Sequence, residues 1–238
     1  MGAIEGSRVA MTHFQERGRG HLINIGSLYA KMTSPLVWPY VASKFGLLGF
    51  TEVLRQEVAR DADVHVSLVL PGSINTPIFQ HAANYAGYSP RPVPPVSDVE
   101  RAARRIERLI DKPRAEVTIG QVHRAFSWAH HFFPSMYARL AEPVMWAAGM
   151  DPLEVEPHEA NVFDSTYEQH GTRGDWPRRR DLQAIARALR AVIPRLATFV
   201  GLTKVRHAED GLSLDTGERS TRPTVGDDMS HEDSAEPD

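Results

Sequence analysis

SLYAKMTSPLVWPYVASK, residues 27–44, is the stretch on which the reading of this chain turns. A strand-like run, His21-Leu22-Ile23-Asn24-Ile25, precedes it, and a long helix with periodic apolar residues follows. Tyr40 and Lys44 are four residues apart, which on a helix puts them on one face, one turn from each other. Ser27 lies in the turn after the strand, where a loop can bring its hydroxyl back beside the phenol. The three groups suit one chemistry. A tyrosine titrates near ~10 and is a poor acid–base group at neutral pH. An ammonium one turn away favours the phenolate and lowers that value. A serine hydroxyl can hold a carbonyl or alcohol oxygen while the tyrosine gives or takes its proton. Interconversion of a carbonyl and an alcohol is the reaction this set fits, and the hydride has to come from a cofactor, because no side chain supplies one.

A Tyr-x-x-x-Lys pair alone is a weak signal, since Tyr40 could equally be an interface aromatic and Lys44 a surface charge. Order along the chain narrows the choice. The strand, Gly26-Ser27, Tyr40-x-x-x-Lys44 and a second strand ending in Pro71-Gly72 follow one another. Asn24-Ile25-Gly26-Ser27, Tyr40-Val41-Ala42-Ser43-Lys44 and Pro71-Gly72-Ser73-Ile74-Asn75-Thr76-Pro77 together resemble the second half of a short-chain dehydrogenase/reductase over residues 1 to about 122. The resemblance implies an α/β fold, a partial Rossmann-type, doubly wound parallel sheet without its N-terminal strands. It implies NAD or NADP as cofactor and a small-molecule carbonyl or alcohol as substrate. Ser27 would polarise the substrate oxygen and Tyr40 would be the general acid/base. Lys44 would bind the nicotinamide ribose and tune Tyr40. In the turn Pro71-Gly72-Ser73-Ile74, the backbone of Ile74 would hold the nicotinamide carboxamide together with the Thr76 hydroxyl.

The 238 residues depart from the family pattern in one respect. They contain no Gly-x-x-x-Gly-x-Gly turn between a strand and a helix, no Asn-Asn-Ala-Gly segment and no counterpart of the family's fourth catalytic residue, an asparagine. The glycine turn is where backbone N–H groups and a helix N-terminus meet the pyrophosphate. The expectation is therefore a chain shortened at its N-terminus that binds dinucleotide weakly by itself, shows no reductase activity alone and leaves an uncovered sheet edge.

Composition bounds the rest. Net charge is −3 with no global basic bias, so nucleic acid is not an expected partner. The chain has no cysteine, hence no disulfide framework and no thiolate metal site. No apolar run approaches membrane-spanning length and no signal pattern opens the chain, which reads as cytoplasmic.

Outside the central stretch, residues 3–17 read as a helix and residues 39–59 as another, with Phe45, Leu48, Phe50, Leu54 and Val58 as its buried face. By resemblance these two helices pack across a dimer interface, implying a homo-oligomer. Residues 64–70 read as a buried parallel strand in which His65 is a sheet histidine and not a catalytic one. Residues 73–96 read as a long substrate-covering loop. Ser97-Asp98-Val99-Glu100 reads as a capping box, its helix followed by a last strand at residues 116–119. The core domain is assigned to residues 1–121, a helical extension to 122–202 and a disordered acidic tail to 203–238. His130-His131 lacks further ligands at metal-binding spacing. Residues 151–180 read as loop. Arg178-Arg179-Arg180 precedes an amphipathic helix, 181–200, whose apolar side (Leu182, Ile185, Leu189, Val192, Ile193, Leu196, Phe199) is expected to pack on protein, with an anionic membrane surface as the alternative. Two functions stay open: an NAD(P)-dependent oxidoreductase, or a non-catalytic member acting through residues 122–202 as an interaction or membrane-surface module.

Overall fold

A computed structural model describes residues 2–163, 171–176 and 178–199, with the side chains of 121–123, 178–180 and 199 outside the description. The tail at 203–238 therefore lies outside the described residues. Helix α1 (Gly2–Arg17) leads into strand β1 (Gly20–Ile25), and a 3-10 turn (Leu28–Ala30) leads to α2 (Trp38–Glu57). Strand β2 (Val64–Pro71) follows, then the one-turn helix α3 (Ile78–His81) and the short strand β3 (Tyr88–Pro90). Helix α4 (Val99–Asp111) and strand β4 (Glu116–Ile119) come next. Helices α5 (Gln121–Phe132) and α6 (Pro134–Val144), a π turn (Met145–Gly149), strand β5 (Met150–Glu154) and helix α7 (Arg178–Phe199) complete the described chain.

β1, β2 and β4 form a parallel sheet in the order β1-β2-β4, with Ile25 opposite Val69 and Leu70 opposite Thr118. The alternation of β2 decides what covers each face. Val64 and Val66 point one way, into a cluster with Met11 of α1, Leu54 of α2 and Val58 just past its end. Leu68 and Leu70 continue that face under the 3-10 turn, against Leu28 and Ala30. Val69 points the other way, to Ala102 and Leu109 of α4 and Ile119 of β4. Helices thus lie on both faces of a parallel sheet, the α/β, Rossmann-type arrangement. On the α1/α2 side the buried Asn24 donates to Thr51 Oγ1 at 3.0 Å and receives a 3.4 Å contact from Ser7 Oγ, so one polar side chain ties β1 to both helices.

Several expectations need correction. Phe45 is exposed, and the inner face of α2 is carried by Val41, Thr51 and Leu54. The capping box at Ser97 does not form. Asp98 is the N-cap and its side chain makes no cap bond. Ser97 lies in a parallel bridge with Ile74, and the Glu100 carboxylate is bound by Arg173. Residues 73–96 and 151–180 are not plain loop. β3 and β5 pair antiparallel, a second bridge joins Asn84 to His158, and buried Arg91 holds Asp151 at 3.1 Å. These pairings join segments some 60 residues apart and carry prolines that veto a strand reading from local sequence.

Helix α7 packs on protein through a different face from the one its apolar stripe marks. Asp181 and Ala184 are buried, Asp181 accepting from Val96 N–H at 3.2 Å, and Arg187 reaches Asp151 at 3.3 Å. Leu182, Leu189 and Ile193 remain exposed. Among the described residues no helix is long and apolar enough to cross a membrane.

Candidate active site

The site is built at the carboxyl end of β1. Gly26 N–H donates to the Val69 carbonyl at 2.8 Å, which carries the strand pairing one residue past β1. A Cβ at Gly26 would stand 3.1 Å from both Leu68 Cδ1 and Leu70 Cδ2, so the close approach there favours glycine. Ser27 follows, buried, with its Oγ accepting from Tyr29 N–H at 3.2 Å as the cap of the 3-10 turn. That bond occupies a lone pair and leaves the Ser27 O–H proton available to donate.

Tyr40 and Lys44 sit one turn apart on α2, which opens with Pro39 in its first turn, where a missing N–H leaves no bond unmade. Just before it, Leu36 holds a left-handed backbone (φ 70°), a strained conformation for a branched residue. The Tyr40 ring meets the Tyr29 ring edge-on, with centroids 6.1 Å apart. Lys44 Nζ stands over the Tyr40 ring at 5.4 Å from its centroid and donates to the Ile25 carbonyl at 3.2 Å. Partial burial lowers the Lys44 pKa from its ordinary value. Ser27, Tyr40 and Lys44 are therefore gathered around one strand end, linked through Tyr29 and Ile25.

The second strand end supplies the other wall. Gly72 N–H donates to the Ile119 carbonyl at 2.8 Å, continuing the β2–β4 ladder past Pro71. Ser97 N–H donates to Ser73 O and Asn75 N–H to Ser97 O, both at 2.9 Å, which fixes the backbone on either side of Ile74. In such a parallel bridge the N–H of Ile74 itself points away from its partner and stays available. Asn75 Oδ1 is buried and has no partner among the described residues. An acceptor unpartnered among the described residues, beside a backbone N–H turned out of the bridge, is complementary to a primary amide, which carries both a donor and an acceptor; the nicotinamide carboxamide fits these residues.

Three residues at this site escaped the sequence reading. Tyr29 bridges Ser27 to Tyr40, and its own pKa is raised, first by burial. Tyr137 of α6 donates to the Thr33 carbonyl at 2.5 Å, so the extension closes over the loop between Ser27 and Tyr40. Burial, and then the neighbouring Tyr29, hold the Tyr137 phenol strongly protonated. Trp176 stacks edge-on against Phe79 at 5.9 Å, with its buried Nε1 unpartnered among the described residues. Beside it Gly174 N–H donates to Asn75 O at 3.2 Å, and a Cβ on Gly174 would stand 2.5 Å from Thr76 O. Residues 173–176 thus strap the Ile74–Thr76 turn. His130 and His131 are engaged with Tyr137 and Phe132, ring centroids 4.9 and 4.8 Å apart.

Comparison with known proteins points to one family. A family model described as short chain dehydrogenase matches residues 1–85. The oxidoreductase YxnA of Bacillus subtilis is 31% identical over 211 residues, covering 84% of this chain and 58% of YxnA. The oxidoreductase SadH of Mycobacterium tuberculosis is 33% identical over 148 residues, covering 58% of this chain and 53% of SadH. A short chain dehydrogenase from Burkholderia cenocepacia, solved in complex with NADP, superposes with a TM-score of 0.43 at 27% identity, covering 52% of this chain and 48% of that one. Residues 1–85 match the short-chain dehydrogenase/reductase family, and the similarity to YxnA extends beyond them. The chain spans about half the length of the curated relatives it matches.

Proposed function

We propose that this chain carries the acid–base and nicotinamide-end residues of an NAD(P)-dependent oxidoreductase that interconverts a carbonyl and an alcohol. The observation that carries the proposal is the convergence of Ser27, Tyr40 and Lys44 at the end of β1. Ser27 donates its free O–H to the substrate oxygen. Tyr40 gives its proton to that oxygen as negative charge builds on it, and takes the proton back in the reverse direction. Lys44, anchored on the Ile25 carbonyl, holds the ribose hydroxyls and adds positive charge beside the phenol. Ile74 N–H, Thr76 and Asn75 orient the carboxamide. The bound cofactor supplies or accepts the hydride.

Exposed apolar residues on α1 and α2, Val9 and Val53 among them, favour a homo-oligomer. The direct test is carbonyl-dependent oxidation of NADH and NADPH. It is run with the protein as it stands and with the protein joined to the glycine-turn half of a short-chain dehydrogenase. Turnover that needs Tyr40 supports the reading, and turnover indifferent to Tyr40→Phe contradicts it. A second reading, an interaction module acting through the extension, is favoured by the uncovered stripe on α7.

A further inference from the structure

We infer that α7 is a docking surface for an anionic membrane, lying flat in the interface through Leu182, Ile185, Leu189 and Ile193. These four recur at helical spacing, so they form one stripe along the axis. Leu182, Leu189 and Ile193 are 69%, 53% and 59% exposed, in a helix whose opposite side is already packed on protein. The inward face is made of Asp181 and Ala184, with Arg187 turned to Asp151. Packing the helix through alanine and leaving leucine and isoleucine in water is the reverse of what a helix serving only the core would do. The outer face is free to meet something apolar.

Charge selects the occupant. Between residues 178 and 199 there are six arginines and one acid. The acid, Asp181, is buried and hydrogen-bonded to Val96 N–H. No carboxylate of the helix therefore faces outward, while Arg190 and Arg195 are exposed. A second copy of the chain is a poor match. In a two-fold dimer the same patch meets itself, which would bring two basic helices together. A bilayer with anionic headgroups offers the opposite charge and takes the apolar stripe into its acyl boundary. The helix is amphipathic and interrupted by Pro194, which suits lying on a surface and not crossing it. This inference is independent of the catalytic reading.

The test is co-sedimentation of the full chain with vesicles of phosphatidylcholine alone and of phosphatidylcholine mixed with phosphatidylglycerol. The wild type is expected to sediment with the mixed vesicles, at least about tenfold more strongly than with the neutral ones, and to be released by added salt. Leu189→Gln/Ile193→Gln changes only exposed side chains, so the fold is kept, as circular dichroism would verify. It is expected to lower vesicle affinity by about tenfold or more. Absence of wild-type sedimentation with mixed vesicles would overturn the inference. So would equal sedimentation of the double variant, or a wild-type dimer in sedimentation velocity that the double variant turns into monomer.

Discussion

Lys44 Nζ lies 5.4 Å from the centroid of the Tyr40 ring while donating to the Ile25 carbonyl at 3.2 Å. One lysine therefore ties the end of β1 to the face of the phenol one helical turn away. Its ammonium has two further protons to offer, and an uncharged replacement would lose the anchor and the positive charge together.

Tyr40→Phe separates proton transfer from packing. The ring, its edge contact with Tyr29 and its place under Lys44 all persist. Wherever carbonyl reduction is measurable, in this chain or joined to a glycine-turn half, turnover is expected to fall by about 10²-fold or more. Thermal stability should stay near wild type. Lys44→Ala is expected to weaken both nucleotide affinity and turnover. Steady-state kinetics on the two variants checks the pair, and near-normal turnover of Tyr40→Phe would remove Tyr40 from the acid–base role.

Asn24 is a structural counterpart to that set. Its amide donates to Thr51 Oγ1 inside the α1/α2 side of the sheet and its oxygen faces Ser7 Oγ. Asn24→Ala leaves buried polar groups without partners and is expected to cost about 1–3 kcal/mol of unfolding free energy. Urea denaturation measures it; an unchanged midpoint would show that the network contributes nothing.

The gathering of Ser27, Tyr40 and Lys44, the two main strands and the order of elements were legible because each is a local pattern. Tyr40 and Lys44 announce themselves by helical spacing, and Val64–Leu70 by a run of β-branched and apolar residues. What was not legible depends on distant partners. β5 pairs with β3 across a stretch of more than 60 residues, and nothing in Asp151-Pro152-Leu153 marks a strand by itself. The inner face of α7 is alanine and aspartate, which no hydrophobic pattern would select. Trp176 and Gly174 act through a turn nearly 100 residues earlier, and the one available signal was a tryptophan in an otherwise polar loop.

That strap makes its own prediction. Gly174→Ala places a Cβ against the backbone oxygen of Thr76, which cannot yield without moving the turn. Trp176→Phe keeps the contact with Phe79 but removes the unpartnered N–H. Gly174→Ala is expected to weaken nicotinamide binding and lower the melting temperature, whereas Trp176→Phe should leave stability near wild type. Calorimetric titration alongside thermal melts distinguishes them. A Gly174→Ala protein with unchanged binding and melting would show that the strap does not set the turn.

His21 gives the sheet a pH dependence. Ser67 Oγ donates to the Arg114 carbonyl, so it accepts from His21 Nε2 at 2.8 Å, leaving a buried Nδ1 without a partner among the described residues. Burial, and then the adjacent His65, lower the His21 pKa from an ordinary value near 6.5. Between the two values the unfolded chain binds more protons than the folded one. The contribution to stability is therefore present above about pH 6.5 and is lost as pH falls toward the folded pKa. His21→Gln should flatten this part of the curve between about pH 7.5 and about pH 5. Identical acid losses in wild type and variant would contradict the assignment.

The most direct measurement is calorimetric titration of the full chain with the two halves of the cofactor, reduced nicotinamide mononucleotide and AMP. In the proposed function Tyr40, Lys44, Ile74, Asn75 and Thr76 serve the nicotinamide end only, and the 238 residues contain no glycine turn for the other. The nicotinamide half is expected to bind, Lys44→Ala to weaken it several-fold, and AMP to bind far more weakly. No binding of the nicotinamide half, or binding unchanged by Lys44→Ala, would contradict the proposed function.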